Sequence, residues 1–196
     1  MKKILFVFSI VAASVAANAQ TAFGVKAGAN IANLKFSGGG VSESLDSKIG
    51  FHAGGFVNIP VSSNFRIQPE ALFSMEGAKN KEDNSKVNLS YINIPVMFQY
   101  SASGFYGETG PQLGLLMSAK AKEDGEEEDV KDQLETTNLS WAIGAGYKLS
   151  NGLGFGARYN LGLSNIGKSE DGEEGKLKSN VIQIGLTYTF GGSAKK

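Results

Sequence analysis

The chain has 196 residues, 41% of them hydrophobic, with 19 basic and 19 acidic side chains, 26 glycines, one histidine and no cysteine. That length suits one domain or one closed barrel. The balanced charge supplies no basic field for nucleic acid, and the missing cysteine removes disulfides, thiolate metal sites, a Cys nucleophile and a lipoprotein anchor.

Taken in order, the chain opens with "MKKILFVFSIVAASVAANAQ". Lys2 and Lys3 precede an apolar run from Ile4 to Val11, and Ala17-Asn18-Ala19 matches a small-residue cleavage site. The run is too short to span about 30 Å of hydrocarbon. The expectation is a signal peptide over 1–19, Sec-type export and a mature domain over 20–196. Losing Lys2 and Lys3 leaves 17 basic against 19 acidic residues, a formal charge of about −2. No later apolar stretch approaches the roughly 18 residues of a membrane helix, so a membrane span has to be made of strands.

Eight segments then alternate with a period of two, which fits them better than a helical period. They are Phe23–Ile31, Ile49–Ile59, Phe65–Glu76, Tyr91–Tyr100, Phe105–Ser118, Asn138–Leu149, Leu153–Leu163 and Asn180–Phe190. In the fifth, Glu108, Gln112, Gly114 and Ser118 take the polar face. The last shows the pattern well: Ile182, Ile184, Leu186, Tyr188 and Phe190 on one face, Gln183, Gly185, Thr187 and Thr189 on the other. Short turns ("SSN", "SASG", "SNG") alternate with longer polar loops ("SGGGVSESLDS", "KNKEDNSK", "KAKEDGEEEDVKDQLE", "GKSEDGEEGK"). Alternating long and short connections predict an all-β, eight-stranded antiparallel up-and-down transmembrane barrel. The closing strand is expected to pair with Phe23–Ile31.

Alternation alone does not say which face is inside, because a soluble lipocalin-like barrel has the same period. Composition separates the two. The polar face is crowded with glycine and sparing with Lys and Glu, which suits the narrow interior of eight strands better than a solvated surface. The apolar face ends in Tyr100, Tyr147, Tyr159, Tyr188 and Phe190, candidates for interfacial girdles. Lipid outside and a polar lumen inside is the reading that follows.

The stretches "AFGVKAGANIANLKF", "FRIQPEALFSMEGAK", "LSYINIPVMFQY", "FYGETGPQLGLLMSAK" and "GLGFGARYNLGLSNI" resemble the porin-like or PorT-like outer-membrane β-barrels of Bacteroidetes-type Gram-negative bacteria. These are scaffold motifs, so the resemblance implies a barrel and an outer-membrane address without an activity. Gln183, Gly185, Tyr188 and Phe190 also look like the terminal signal read by the outer-membrane assembly machinery, although six residues follow the last aromatic.

Lys26, His52, Arg66, Glu70, Glu76, Glu108, Gln112 and Arg158 are all expected to point into the lumen. Buried charges must be paired, so they are read as a structural network, with Arg66, Glu70, Glu108 and Arg158 meeting across the bore. With one histidine no multi-histidine metal site exists, and His52 points away from lipid, where a lipid-hydrolysing Ser-His pair would have to be. The acidic "KEDGEEEDVKDQLE" lacks the ligand spacing of a calcium loop, and the glycines of "GLGFGARYNLG" lie along a strand rather than around a phosphate. No catalytic residue, metal or cofactor is assigned.

The function expected is a small, largely closed outer-membrane barrel with a structural or surface-interaction role through its long loops. The alternatives are a porin-like channel or a transport or secretion accessory, and then an enzyme or soluble carrier. The expected partners are outer-membrane lipids and the assembly machinery, with no nucleic acid and a monomeric state. Protein purified from its native membrane should have the mass of a chain starting at Gln20; retention of residues 1–19 would contradict the leader.

Overall fold

The computed structural model describes residues 21–38, 41–79, 85–123, 126–168 and 175–190. The expected leader, parts of the long loops and the six residues after Phe190 lie outside the described residues. The strands in chain order are β1 (Ala22–Gly38), β2 (Val41–Ser44), β3 (Asp46–Pro60), β4 (Phe65–Lys79), β5 (Lys86–Ala102), β6 (Phe105–Glu123), β7 (Glu126–Asp129), β8 (Thr137–Lys148), β9 (Leu153–Gly162) and β10 (Lys176–Phe190). All but β2 and β7 hydrogen-bond in sequence order into an antiparallel ring of eight. β10 closes it against β1, from Phe23 opposite Phe190 to Ser37 opposite Lys176.

The turn chemistry sets the short end. Ser103 and Gly104 both have positive φ, 50° and 88°, the mirror-image turn whose twist matches a two-residue hairpin. In the next short turn, Gly152 has φ 90° and Asn151 Oδ1 accepts the Leu153 N–H at 3.1 Å.

On the outer wall, apolar residues run from Phe23 to Ile31 on β1 and from Ile182 to Phe190 on β10, nine positions each. A tilted strand needs about 9–11 residues to cross hydrocarbon. Large side chains in this band stand open, among them Phe105 at 67% exposure and Leu186 at 63%. Trp141 is on the same wall, and its indole N–H donates to Thr109 Oγ1 at 2.8 Å, whose hydroxyl donates to the Ala142 carbonyl at 3.0 Å. Those bonds leave the indole N–H paired on a surface without water. Phe105, Tyr147 and Phe155 form a ring cluster near the short turns, with centroids 4.7 and 5.9 Å apart. Tyr188 packs edge-on to Phe190 at 5.3 Å. Tyr159 does not join them. It lies opposite Ile143 and Ile182, well up β9 from the turn, because it is six positions along the strand from Leu153.

Beyond the band, toward the long loops, the pattern inverts without losing its period. Lys35, Asn88, Thr137 and Lys178 take the outward positions, while Leu34, Leu89, Tyr91 and Leu116 point inward. With Ala78 and Ala119 they form an apolar cluster inside the barrel, closed by Leu134 and Ile166 from the two connections flanking β8 and β9. The lumen is therefore not polar along its whole length. Where water replaces lipid outside the ring, an apolar inside is the stable choice.

Three further expectations change. The segment "SGGGVSESLDS" is not all loop, because β2 continues the ladder on β1. The acidic stretch 120–135 is not a free loop: β6 runs on to Glu123, pairs with the exposed β7, and a 3-10 turn at Lys131–Gln133 leads into the buried Leu134. Finally, Ser118 does not continue the inward row. Ser90 faces Ser118 but Tyr91 faces Leu116, so Met117 is an extra residue that shifts the phase and turns Ala119 inward.

The inversion makes a prediction about charge placed on one outward face at two heights. Leu186→Arg, within the apolar band, should lower unfolding free energy by about 2–4 kcal/mol. Thr137→Arg, above it, should stay within about 0.5 kcal/mol. Urea titration of the lipid-embedded protein measures both.

Candidate functional site: the barrel interior

Inward positions are spaced every second residue, and neighbouring strands bring residues far apart in sequence to one level. Glycine makes room for the large ones. A Cβ at Gly28 or Gly185 would lie 2.8 or 3.1 Å from the His52 ring, and one at Gly156 would be 2.6 Å from the Tyr106 hydroxyl. Phe56 is seated on Gly24 in the same way. Sequence reasoning noted the glycines but not these two aromatics, because Phe56 and Tyr106 break an otherwise small or polar row.

The lower layer is built on Arg158 of β9. Its Nη2 and Nη1 donate to the two carboxylate oxygens of Glu70 at 2.7 and 2.9 Å, and its Nε donates to Glu108 Oε1 at 2.8 Å. Lys26 Nζ lies 3.7 Å from Glu70 Oε2. Neutral amides complete the carboxylates: Gln68 Nε2 donates to Glu70 and Gln99 Nε2 to Glu108, both at 2.9 Å, and Asn58 Nδ2 donates to Gln68 Oε1 at 2.9 Å. Two cations thus balance two anions across the bore, with hydrogen bonds on the remaining lone pairs. Arg66 is not among them. Its Nη1 donates to Ser101 Oγ at 2.8 Å near the short-turn end, four residues along β4 from Glu70 and too far down the strand to join.

The upper polar layer is neutral apart from Glu76. His52 Nδ1 and Asn30 Oδ1 are 2.8 Å apart, Gln183 Nε2 donates to the same oxygen at 3.3 Å, and Asn30 Nδ2 donates to Ser74 Oγ at 2.9 Å. Glu76 accepts from Ser74 Oγ, Asn93 Nδ2 and Ser179 Oγ. Gln112 is 3% exposed, with its Oε1 unpartnered. Among the described residues, no group of three His, Cys, Asp or Glu is arranged to hold a metal ion.

Little space remains inside. A cavity of about 10 Å³ lined by Lys26, Tyr106, Glu108, Arg158, Gln183 and Thr187 has room for roughly one water. A larger concavity, about 1100 Å³, is lined by outer-wall groups such as Ala145, Tyr147, Phe155 and Leu186, which face the lipid side rather than the bore. Far from both, the exposed Lys120–Glu127 pair ties β6 to β7, and its hydrogen bond holds the Glu127 carboxyl below the usual carboxylate range.

A closed ring with an apolar band outside and paired charges inside defines a transmembrane β-barrel. The family model described as outer membrane protein beta-barrel domain matches residues 17–168, and the chain belongs to that family of outer-membrane proteins. No curated protein matches the sequence. Among solved structures it is similar to Neisserial surface protein A, at 17% identity and TM-score 0.51 over 86% of this chain and 97% of that one. Ail, the attachment invasion locus protein of Yersinia pestis, solved with the heparin analogue sucrose octasulfate, has 15% identity and TM-score 0.49 over 87% and 99%. OprG from Pseudomonas aeruginosa has 16% identity and TM-score 0.44 over 86% and 95%. The first of these likenesses is one of fold.

Gln183, Gly185, Tyr188 and Phe190 all lie on β10, with Gln183 inside the bore and Tyr188 and Phe190 on the outer wall. The interior geometry distinguishes two arginines that the sequence treats alike. Arg158→Ala leaves two buried carboxylates with only Lys26 to balance them and should cost about 3–5 kcal/mol in urea unfolding. Arg66→Ala removes a hydrogen bond to a hydroxyl and should cost about 1.5 kcal/mol or less.

Proposed function

We propose that this protein is a sealed outer-membrane barrel whose role is structural or one of surface interaction, exercised through its long-loop end rather than through its bore. The observation that carries this reading is the double closure of the interior. The Arg158–Glu70–Glu108 layer fills the lower bore, and the Leu34, Leu89, Leu116, Leu134 and Ile166 cluster fills the upper one. An aqueous path would have to break a fully bonded ion network and an apolar core.

The chemical role is non-enzymatic in this proposal. His52 is 1% exposed, turned into the barrel and bonded to Asn30, which keeps it from both lipid and water. The working surface is the long-loop end, where Glu126, Glu127, Glu128 and Asp129 of β7 all stand exposed. Export by the Sec route, insertion through the assembly machinery by way of the Gln183-to-Phe190 pattern, a monomeric state and membership of the porin-like or PorT-like subgroup belong to the same proposal.

Purified protein in planar bilayers should show no steady conductance. Arg158→Ala, measured on folded protein, should also stay silent, because the apolar cluster above is untouched. A reproducible open channel in the unaltered protein would replace this reading with the porin-like one.

A further inference from the structure

The charge layer around Arg158 accounts for Glu70 and Glu108, but a third carboxylate in the interior is built differently. Glu76 is 3% exposed. Its Oε1 accepts from Ser74 Oγ at 2.9 Å and Asn93 Nδ2 at 3.0 Å, and its Oε2 accepts from Ser179 Oγ at 3.2 Å. All three donors are neutral. Lys48 Nζ donates at 3.4 Å to the backbone carbonyl of Glu76 and not to its carboxylate. A buried ionised carboxylate is costly unless a cation is paired with it.

A second observation concerns the surrounding wall. Tyr91 lies directly opposite Ser74 on the neighbouring strand, and its hydroxyl is buried without a partner. Around the ring from Asn93 to Ser179 come β6, β8 and β9. Asn93 pairs with Gly114 of β6, Gln112 of β6 with Ser140 of β8, and Ser140 with Gly162 of β9, whose Cβ position abuts the Ser179 carbonyl. On that arc Gln112 Oε1, Ser140 Oγ and both amide atoms of Asn160 are unpartnered, in side chains that are 2–3% exposed. Buried polar atoms of this kind are normally satisfied by something bound.

The unpartnered set is mostly oxygen and shares the inner wall with the Glu76 carboxylate, a setting that disfavours an anion. One carboxylate is too few for a tightly held divalent ion, which takes several. We propose that Glu76, with the oxygens of Tyr91, Gln112, Ser140 and Asn160, forms an internal site for one monovalent alkali cation and its accompanying water. The apolar cluster seals the site on one side and the Arg158 layer on the other, so the ion enters as the barrel closes. It supplies the counter-charge that no side chain delivers to the carboxylate, at the level where the interior changes from polar to apolar.

The test refolds the protein separately in sodium, potassium and choline chloride at equal ionic strength and pH, then measures urea midpoints. The midpoint should rise with sodium or potassium concentration and saturate, relative to choline. Glu76→Gln, which keeps the shape and removes the charge, should lose that dependence. Equal midpoints in all three salts would overturn the proposal in favour of water alone, as would a midpoint that follows pH but not the ion. Retention of the ion effect in Glu76→Gln would also overturn it, by placing the ion elsewhere. Should that variant fail to fold, crystals of the unaltered protein grown in rubidium chloride decide the matter. An anomalous peak beside the Glu76 carboxylate supports the site, and none there refutes it.

Discussion

Hydrocarbon offers a peptide group no hydrogen-bond partner, and the rest of this structure depends on that constraint. An open sheet in a bilayer would leave two unpaired edges, so β10 must return to β1. It does so over the full length from Phe23 opposite Phe190 to Ser37 opposite Lys176. Closure fixes the alternation of faces around the ring. Once Leu186 faces lipid, Gln183 must face the bore, and the same holds for every inward residue on the neighbouring strands.

The interior then has to be filled, and the protein does this in two ways at two heights. Within the bilayer the outer wall takes the apolar residues, and the bore is packed with Arg158, Glu70, Glu108, Lys26 and their amide partners. Beyond the bilayer the outer wall meets water, and Leu34, Leu89 and Leu116 move inside, covered by Leu134 and Ile166. The narrow bore explains the glycines. Gly28 and Gly185 flank the His52 ring and Gly156 lies under the Tyr106 hydroxyl, so each large inward ring is set against a wall with no side chain. Eight strands enclose just enough room for this exchange of bulk.

Much of this was legible in the chain. The period of two, the alternating connection lengths and the glycine-rich polar face lead to the ring and its inside-out membrane section. They also place Lys26, His52, Glu70, Glu76, Glu108 and Arg158 inward, since a strand's periodicity carries that information locally. What periodicity lacks is height. Arg158 meets Glu70 across 88 residues of sequence, while Arg66, four residues from Glu70, does not join it, because pairing depends on where neighbouring strands bring residues level. The upper core is present in "KVNLSY" and "KLKS", where Val87, Leu89 and Leu177 alternate in the opposite sense. Its meaning depends on where lipid ends, which no single strand records. The bulge at Met117 leaves no local mark, so strict alternation puts Ser118 on the wrong face.

The central claim is that the apolar wall faces lipid around a closed interior. Trp141 is the one tryptophan in the chain and stands on that wall at 45% exposure. Its fluorescence in vesicles containing brominated phospholipids, compared with quenching by aqueous iodide, reads its surroundings directly. The account predicts strong quenching by the brominated acyl chains and almost none by iodide. Efficient iodide quenching with no effect of the brominated lipid would contradict it, and would turn the barrel's apolar face inward.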